Sequence, residues 1–295
     1  MKSTADSTRS TEFILLCVAF IWAANYPLTK YGLLQLDIFV FNSIRFIVAF
    51  CLLWIMLRTQ SQTVSQLRSD WKPILRLGIL ISIIYQCAFI IGIKHTSSGN
   101  AAVILSTSPL WTAFSSARIN KERIMPQTWL GLIISLTGVV CIIIGSGKKF
   151  EIGIDAILGD MMILLSAILW GLNTTLQKPL LTRYTTIQLS VMTLGIGMIG
   201  LTVIAIPSAF SMPWRSIPYS YYLAAILSGA LSIGTANVLW SYGVKKIGPS
   251  RTSNFNNMVP IFAFIIAYIA LGETVAPLQI VGALVTMLGV WIVRR

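Results

Sequence analysis

Two stripes of side chains carry the chemistry that can be read from this sequence. Trp22, Asn25 and Thr29 are spaced 0, 3 and 7, and Trp170, Asn173 and Gln177 repeat that spacing. On a helix each set falls on one face. Both stripes lie inside strongly apolar runs. An amide there is costly to expose to hydrocarbon and must turn toward other helices or water, and an indole at that depth needs a partner for its N–H. A wall that binds a solute satisfies both demands. Plain packing is the other reading, with each Asn as interhelical glue and each Trp as an interface anchor. The position of Trp22 and Trp170, well inside their runs and not at headgroup level, favours the wall.

Further polar groups sit at related depths. Tyr26 follows Asn25. One run offers Tyr85, Gln86 and Phe89 and the corresponding run of the second copy offers Asn237, Trp240 and Ser241, and Ser106 and Pro109 align with Asn257 and Pro260, with Asn254 one turn earlier. A proline inside a span frees a backbone carbonyl and weakens the helix, which exposes polar backbone to a solute or is a tolerated kink. Arg45 lies within a run, where an ionised group costs roughly 2.5 kcal/mol or more unless it reaches water or a partner. It either bonds helix ends structurally or meets a substrate carboxylate.

Acid chemistry is sparse. None of the nine Asp and Glu residues falls at the middle of a run. Glu122 and Glu273 each stand four residues before a proline, a pattern of helix N-termini that stabilise carboxylates, and Glu12 and Asp160 stand where their runs begin. The single histidine, His95, falls in an expected turn. Cys17, Cys51, Cys87 and Cys141 occur singly in apolar runs without metal-ligand spacing and read as buried small hydrophobes, not a disulfide framework. No metal or cofactor is expected. A membrane-embedded enzyme acting on lipid would need clustered acids or histidines at one membrane face, and a receptor or assembly subunit has no evident use for duplicated polar midplanes. Aromatic faces with neutral amides suit a zwitterion or an amphipathic aromatic solute better than a polyanion or metal ion.

The elements that would position these groups follow from composition. Hydrophobic residues make up 56% and charged residues 11% of the 295, and mean hydropathy is +0.79. Soluble domains carry about 25% charged residues, so the chain is expected to be an integral membrane protein within a lipid bilayer. Apolar runs near spanning length occur at 13–34, 38–57, 74–93, 99–117, 127–145, 157–178, 186–207, 217–243, 250–271 and 275–293, giving ten spans. The first is too long for a signal-peptide core and lacks a cleavage site. The net charge of +13 does not point to nucleic acid. With the N-terminus in the cytoplasm, inner segments hold clusters such as Arg58, Arg68, Lys72 and Arg76, then Arg118, Lys121 and Arg123, then Lys245, Lys246 and Arg251, while outer loops hold only Lys30, Lys94, Lys148, Lys149 and Arg215. That is a positive-inside distribution, with both termini cytoplasmic.

The chain also repeats itself. An offset of 148 pairs Glu12 with Asp160, Trp22 with Trp170 and Asn25 with Asn173. An offset of 151 pairs Gln86 with Asn237, Pro109 with Pro260, Glu122 with Glu273, Gly131 with Gly282 and Gly138 with Gly289. Five spans per copy is an odd number, so the copies lie in the bilayer in opposite orientations, an arrangement typical of transporters. The expected architecture is all-α and polytopic, ten transmembrane helices forming two inverted five-helix repeats at 13–145 and 157–293, joined by an extracytoplasmic linker at 146–156.

In these features the sequence resembles the tandem EamA repeats of the drug/metabolite transporter superfamily. Each copy has an early Trp with Asn shortly after, a Pro in its fourth span and a Glu before a Pro-led fifth. The first copy has an Arg45–Phe46 pair in its second span, whereas the second has Thr193 near the place of Arg45. The resemblance implies a ten-helix bundle, a central cavity between the halves and alternating access, without naming a substrate. The reading is a secondary transporter of small organic solutes and not an enzyme, an exporter of amino acids or related metabolites in a bacterial inner membrane. The alternatives are import or exchange of a nucleotide-related metabolite and the lipid enzyme. Oligomeric state and coupling ion stay open.

Overall fold

A computed structural model describes residues 2–60, 67–95, 104–145, 154–271 and 276–294, and all regular structure among them is helical. The first half comprises α1 (Lys2–Gly32), α2 (Ile38–Thr59), α3 (Leu67–Gly78), a π-helical stretch (Ile79–Ile84), α4 (Tyr85–His95), α5 (Ser108–Ile119) and α6 (Pro126–Gly145). The second comprises α7 (Ile154–Leu180), α8 (Thr186–Ser211), α9 (Tyr219–Leu227), a second π-helical stretch (Ser228–Ala236), α10 (Asn237–Ile247), α11 (Pro249–Ser253), a 3-10 stretch (Asn254–Met258), α12 (Val259–Leu271) and α13 (Pro277–Arg294). Helix starts are set by side chains. Asp37 accepts from the Phe39 and Val40 amides at the head of α2, and Thr185 and Gln188 form a reciprocal capping box at the head of α8.

Six stretches are long and apolar enough to cross a bilayer: Thr8–Thr29, Ile38–Thr59, Asp70–Ile93, Ile157–Leu180, Thr186–Ser211 and Tyr219–Ile247; Pro126–Ile142 and Pro277–Val293 are shorter apolar helices. The chain is an all-helical integral membrane protein. Its outward surface fits that medium: Phe13, Ile199, Val203, Leu284 and Met287 are all exposed, as lipid-facing side chains are.

Several expectations need correcting. The gap left between the expected spans 38–57 and 74–93 is partly helical, because α3 begins at Leu67. Glu12 does not start a helix, since α1 begins at Lys2. Pro109 lies in the first turn of α5 and Pro260 at the start of α12. Neither proline kinks a continuous helix: each stands where a turn or 3-10 stretch gives way to α-helix, with the missing N–H among groups unpaired there anyway. Cys51 is exposed rather than buried, although all four cysteines are free. Glu122 precedes α6, and its Oε1 lies 3.4 Å from where a Cβ on Gly248 would stand, beside the head of α11. Glu273 and linker residues 146–153 lie outside the described residues.

Two seams matter for the site. Helices α6 and α13 pack over their whole lengths in antiparallel fashion: a Cβ on Gly131 would meet Gly289 and Val293, one on Gly138 would meet Gly282 and Thr286, and one on Gly145 would meet Gln279. Glycine at seven-residue spacing lets these backbones touch. Thr286 Oγ1 donates to the Ser135 carbonyl, 151 residues away. The second seam differs between halves. Gly229, in the second π stretch, backs onto the backbone of Arg45 in α2. At its equivalent at offset 151, Gly78, the nearest atoms a Cβ would meet belong to the side chain of Ile196 in α8, while further along the same seam a Cβ on Gly197 would meet Ser82 Cβ.

Candidate functional site

Helices α2, α3, α4, α7, α8 and α10 enclose a cavity toward the end of the bundle that carries Asp70, Arg183 and Lys245. Its wall includes Phe46, Ser82, Gln86, Trp170, Asn173, Gln177, Ser190, Thr193, Asn237, Trp240 and Ser241. The enclosed space is about 50 Å³, room for a few waters and not for an organic solute. None of the lining residues is ionisable.

Aromatic packing closes one end. Trp22 and Trp170 meet edge to face with ring centroids 5.2 Å apart, Trp240 lies 5.1 Å from Trp22 and 5.7 Å from Trp170, and Tyr85 lies 5.5 Å from Trp170. Trp22 Nε1 donates to the Ser232 carbonyl in the second π stretch at 3.4 Å, and Trp240 Nε1 donates to Thr174 Oγ1 at 3.3 Å. A π-helical turn moves carbonyls off the regular ladder, which gives Trp22 an acceptor. Trp170 Nε1 has no partner.

On the wall below, Ser241 Oγ donates to Gln177 Oε1 at 2.8 Å, leaving Gln177 Nε2 buried and unpartnered. Asn237 donates to the Ile233 carbonyl at 2.9 Å, and Ser82 donates to the Thr193 carbonyl at 3.1 Å. Each unsatisfied buried donor costs about 1–3 kcal/mol. A solute with acceptor oxygens that entered between Trp170 and Gln177 would relieve that cost.

The structure gathers some of the candidate residues and scatters others. Gln86, Trp170, Asn173, Asn237 and Trp240 line the cavity, with Trp22 and Tyr85 packed on its aromatic end. Asn25 lies outside it, accepting from Ser228 Oγ at 2.6 Å. Tyr26 is 42% exposed and is not part of the cavity wall. Ser106 is buried beside the start of α5. Asn254 and Asn257 do not face the cavity. Asn257 Nδ2 donates to Ser135 Oγ at 2.6 Å and Asn254 Nδ2 to the Val290 carbonyl at 3.4 Å, so both tie the α11–α12 region to the α6–α13 pair. Arg45 is also outside the cavity. It is 4% exposed, donates through Nη1 to Asn42 Oδ1 at 2.9 Å, lies over the Phe41 ring, and leaves Nε without a partner.

The wall residues Ser190 and Thr193 in α8 were missed from sequence. A Ser or Thr in a span normally bonds its own helix, as Thr193 does to the Leu189 carbonyl, so nothing marks it. The available signal was Thr193 standing at the place of Arg45. Beyond the cavity, Arg183 Nη1 donates to Asp70 Oδ1 at 2.7 Å, Tyr184 donates to Asp70 Oδ2 at 3.2 Å, and Lys245 Nζ donates to the Tyr184 carbonyl at 3.3 Å. This clasp joins α3 to the α7–α8 turn and α10.

Comparison with known proteins places this geometry. An uncharacterized transporter of Bacillus subtilis, YyaM, is 27% identical over 278 residues, spanning 94% of this chain and 91% of that protein. An uncharacterized transporter of Archaeoglobus fulgidus is 27% identical, spanning 96% of each. A protein named a probable terminal-alkyne amino-acid exporter, from Streptantibioticus cattleyicolor, is 24% identical over 213 residues, 72% of this chain and 69% of that one. A crystal structure at 16% identity superposes with a TM-score of 0.78 over 97% of this chain and 98% of the other, a likeness of fold alone. The model of the EamA-like transporter family matches residues 9–144 and again 157–295. The chain therefore belongs to the EamA-like transporter family.

Proposed function

We propose that this protein is a secondary transporter that exports amino acids or related small metabolites across the bacterial cytoplasmic membrane by alternating access, with both termini in the cytoplasm. It is built as ten membrane-crossing segments in two inverted five-helix repeats, 13–145 and 157–293, with 146–156 as the linker outside. Antiparallel packing of the repeat-equivalent helices α6 and α13 supports the inversion, because equivalent helices of inverted repeats run in opposite directions. The composite stretches around α5 and α11–α12, with α6 and α13, supply the segments beyond the six long ones.

One observation carries the reading: the repeat-equivalent glycines Gly78 and Gly229 stand in unlike environments. At Gly229 a Cβ would meet the Arg45 backbone, and at Gly78 it would first meet the side chain of Ile196. Equivalent seams that pack differently are what alternating access needs. The cavity lies toward the end rich in basic residues, which supports a reading of this state as facing the cytoplasm around a collapsed site. The uncharged amide and indole lining supports a zwitterionic or amphipathic aromatic solute. The named exporter among the relatives supports an amino-acid class.

A thermal-shift screen of purified protein against amino acids, their amines and nucleotide-related metabolites tests the solute class. A ligand at 100 times its dissociation constant adds about 2.7 kcal/mol of apparent stability. Stabilisation by aromatic amino acids fits the reading, and stabilisation by nucleotides alone replaces it.

A further inference from the structure

Among the described residues, Arg45 is a buried cation whose hydrogen-bond partner is the neutral Asn42. A guanidinium held in that setting implies an anion that visits it. The repeat indicates where it would be met. At offset 148, Arg45 is the counterpart of Thr193, Asn42 of Ser190 and Thr29 of Gln177. All three second-half residues wall the present cavity, whereas the first-half residues are packed away. Thr29 Oγ1 and Arg45 Nε are both buried without a partner, and Asn25, the counterpart of Asn173, is held by Ser228. Ser228 is in turn the counterpart at offset 151 of Leu77, another wall residue.

In inverted repeats the two facing states arise when the halves exchange conformations. We propose that the opposite-facing state opens a second cavity, walled by Asn25, Thr29, Asn42 and Ser228, in which Arg45 receives the carboxylate of the solute. This inference rests on the alternating-access reading above. It adds an asymmetry the repeat does not share: the inner cavity has no charge, and the outer one has a single cation. Opening requires Gly229 to part from the Arg45 backbone, which frees the guanidinium from the packed seam. A carboxylate moving outward would exchange the neutral donors of Trp170 and Gln177 for the charged donors of Arg45, passing Tyr85, whose ring lies tilted 5.5 Å from that of Trp170.

The test uses single cysteines in the otherwise cysteine-free full chain, in right-side-out and inverted vesicles. Methanethiosulfonate reagents bearing a sulfonate or a trimethylammonium are the probes, with rates normalised to free thiol. Asn42→Cys and Ser228→Cys are each expected to react from the outer face, and Asn173→Cys from the inner face. At Asn42→Cys and Ser228→Cys the sulfonate reagent is expected to be favoured over the cationic one by about tenfold relative to Arg45→Gln in the same background, from unit charges some 6 Å apart in a wet cavity. Arg45→Lys should keep the preference, which separates loss of charge from loss of fold. Asn173→Cys reacting from the inside with no outer reaction at Asn42→Cys or Ser228→Cys overturns the second cavity and leaves the transporter reading intact. Outer reaction with an unchanged charge preference in Arg45→Gln overturns the role of Arg45. Reaction of Asn173→Cys from the outer face alone overturns the underlying reading of sided access.

Discussion

A Cβ on Gly229 would stand 2.5 Å from the carbonyl oxygen of Arg45 and 2.8 Å from its Cα, so α2 and the second π stretch touch through a position only glycine can occupy. Gly229→Ala must push two backbones apart, and overpacking of this kind costs about 1–3 kcal/mol. Thermal unfolding in detergent should show that loss. Gly78→Ala meets the flexible end of Ile196 and should cost less, under about 1 kcal/mol. Equal shifts for the two variants would mean that the seams do not differ.

The Trp trio divides by partner. Trp22→Phe removes a donor to the Ser232 carbonyl and Trp240→Phe removes one to Thr174, while Trp170→Phe deletes an indole N–H that has no partner in this state. Trp170→Phe is therefore expected to lose only the packing of the larger ring, to destabilise less than Trp22→Phe or Trp240→Phe, and to lower flux several-fold, measured in liposomes at matched protein. Unchanged flux would make Trp170 a packing residue.

Asn257 tests the opposite assignment. Its amide donates to Ser135 beside the α6–α13 pair, so Asn257→Ala should lower stability by about 1–3 kcal/mol while flux per folded molecule stays within about twofold. Asn173→Ala should do the reverse. Similar behaviour of the two would return Asn257 to the binding site.

At the basic end, Asp70 accepts from both Arg183 and Tyr184. Arg183 is 63% exposed, which limits the ion pair to about 1 kcal/mol or less. Asp70→Asn is accordingly expected to change thermal stability little. It should raise the inner-face labelling rate of Gln177→Cys, because the clasp ties α3 to the α7–α8 turn beyond the cavity. No change in that rate would show that the clasp does not restrict entry.

How much of this was legible depends on how rare each residue type is in an apolar helix. Trp22, Trp170, Asn173 and Asn237 stood out because indoles and amides are costly there, and they meet or line the cavity. The glycine pairs of α6 and α13 were visible as repeat matches, but their contact across an antiparallel seam was not. Asn254 and Asn257 tie helices together outside the cavity in this structure, a role the sequence did not separate from binding because an amide before a proline suits both. The π stretch at Ile79–Ile84 could not be seen, since its aliphatic residues are ordinary for any span. The unlike packing at Gly78 and Gly229 was invisible for a different reason: two copies of one pattern carry no record of how each is packed in a given state.

Solute flux into liposomes containing only this protein is the most direct test of the central claim. Saturable uptake of a radiolabelled aromatic amino acid, accelerated by the same unlabelled solute inside and lost in Asn173→Ala, is the expected result. Uptake that rises linearly without saturation, or folded protein that moves none of the amino acids and related metabolites offered, would contradict it.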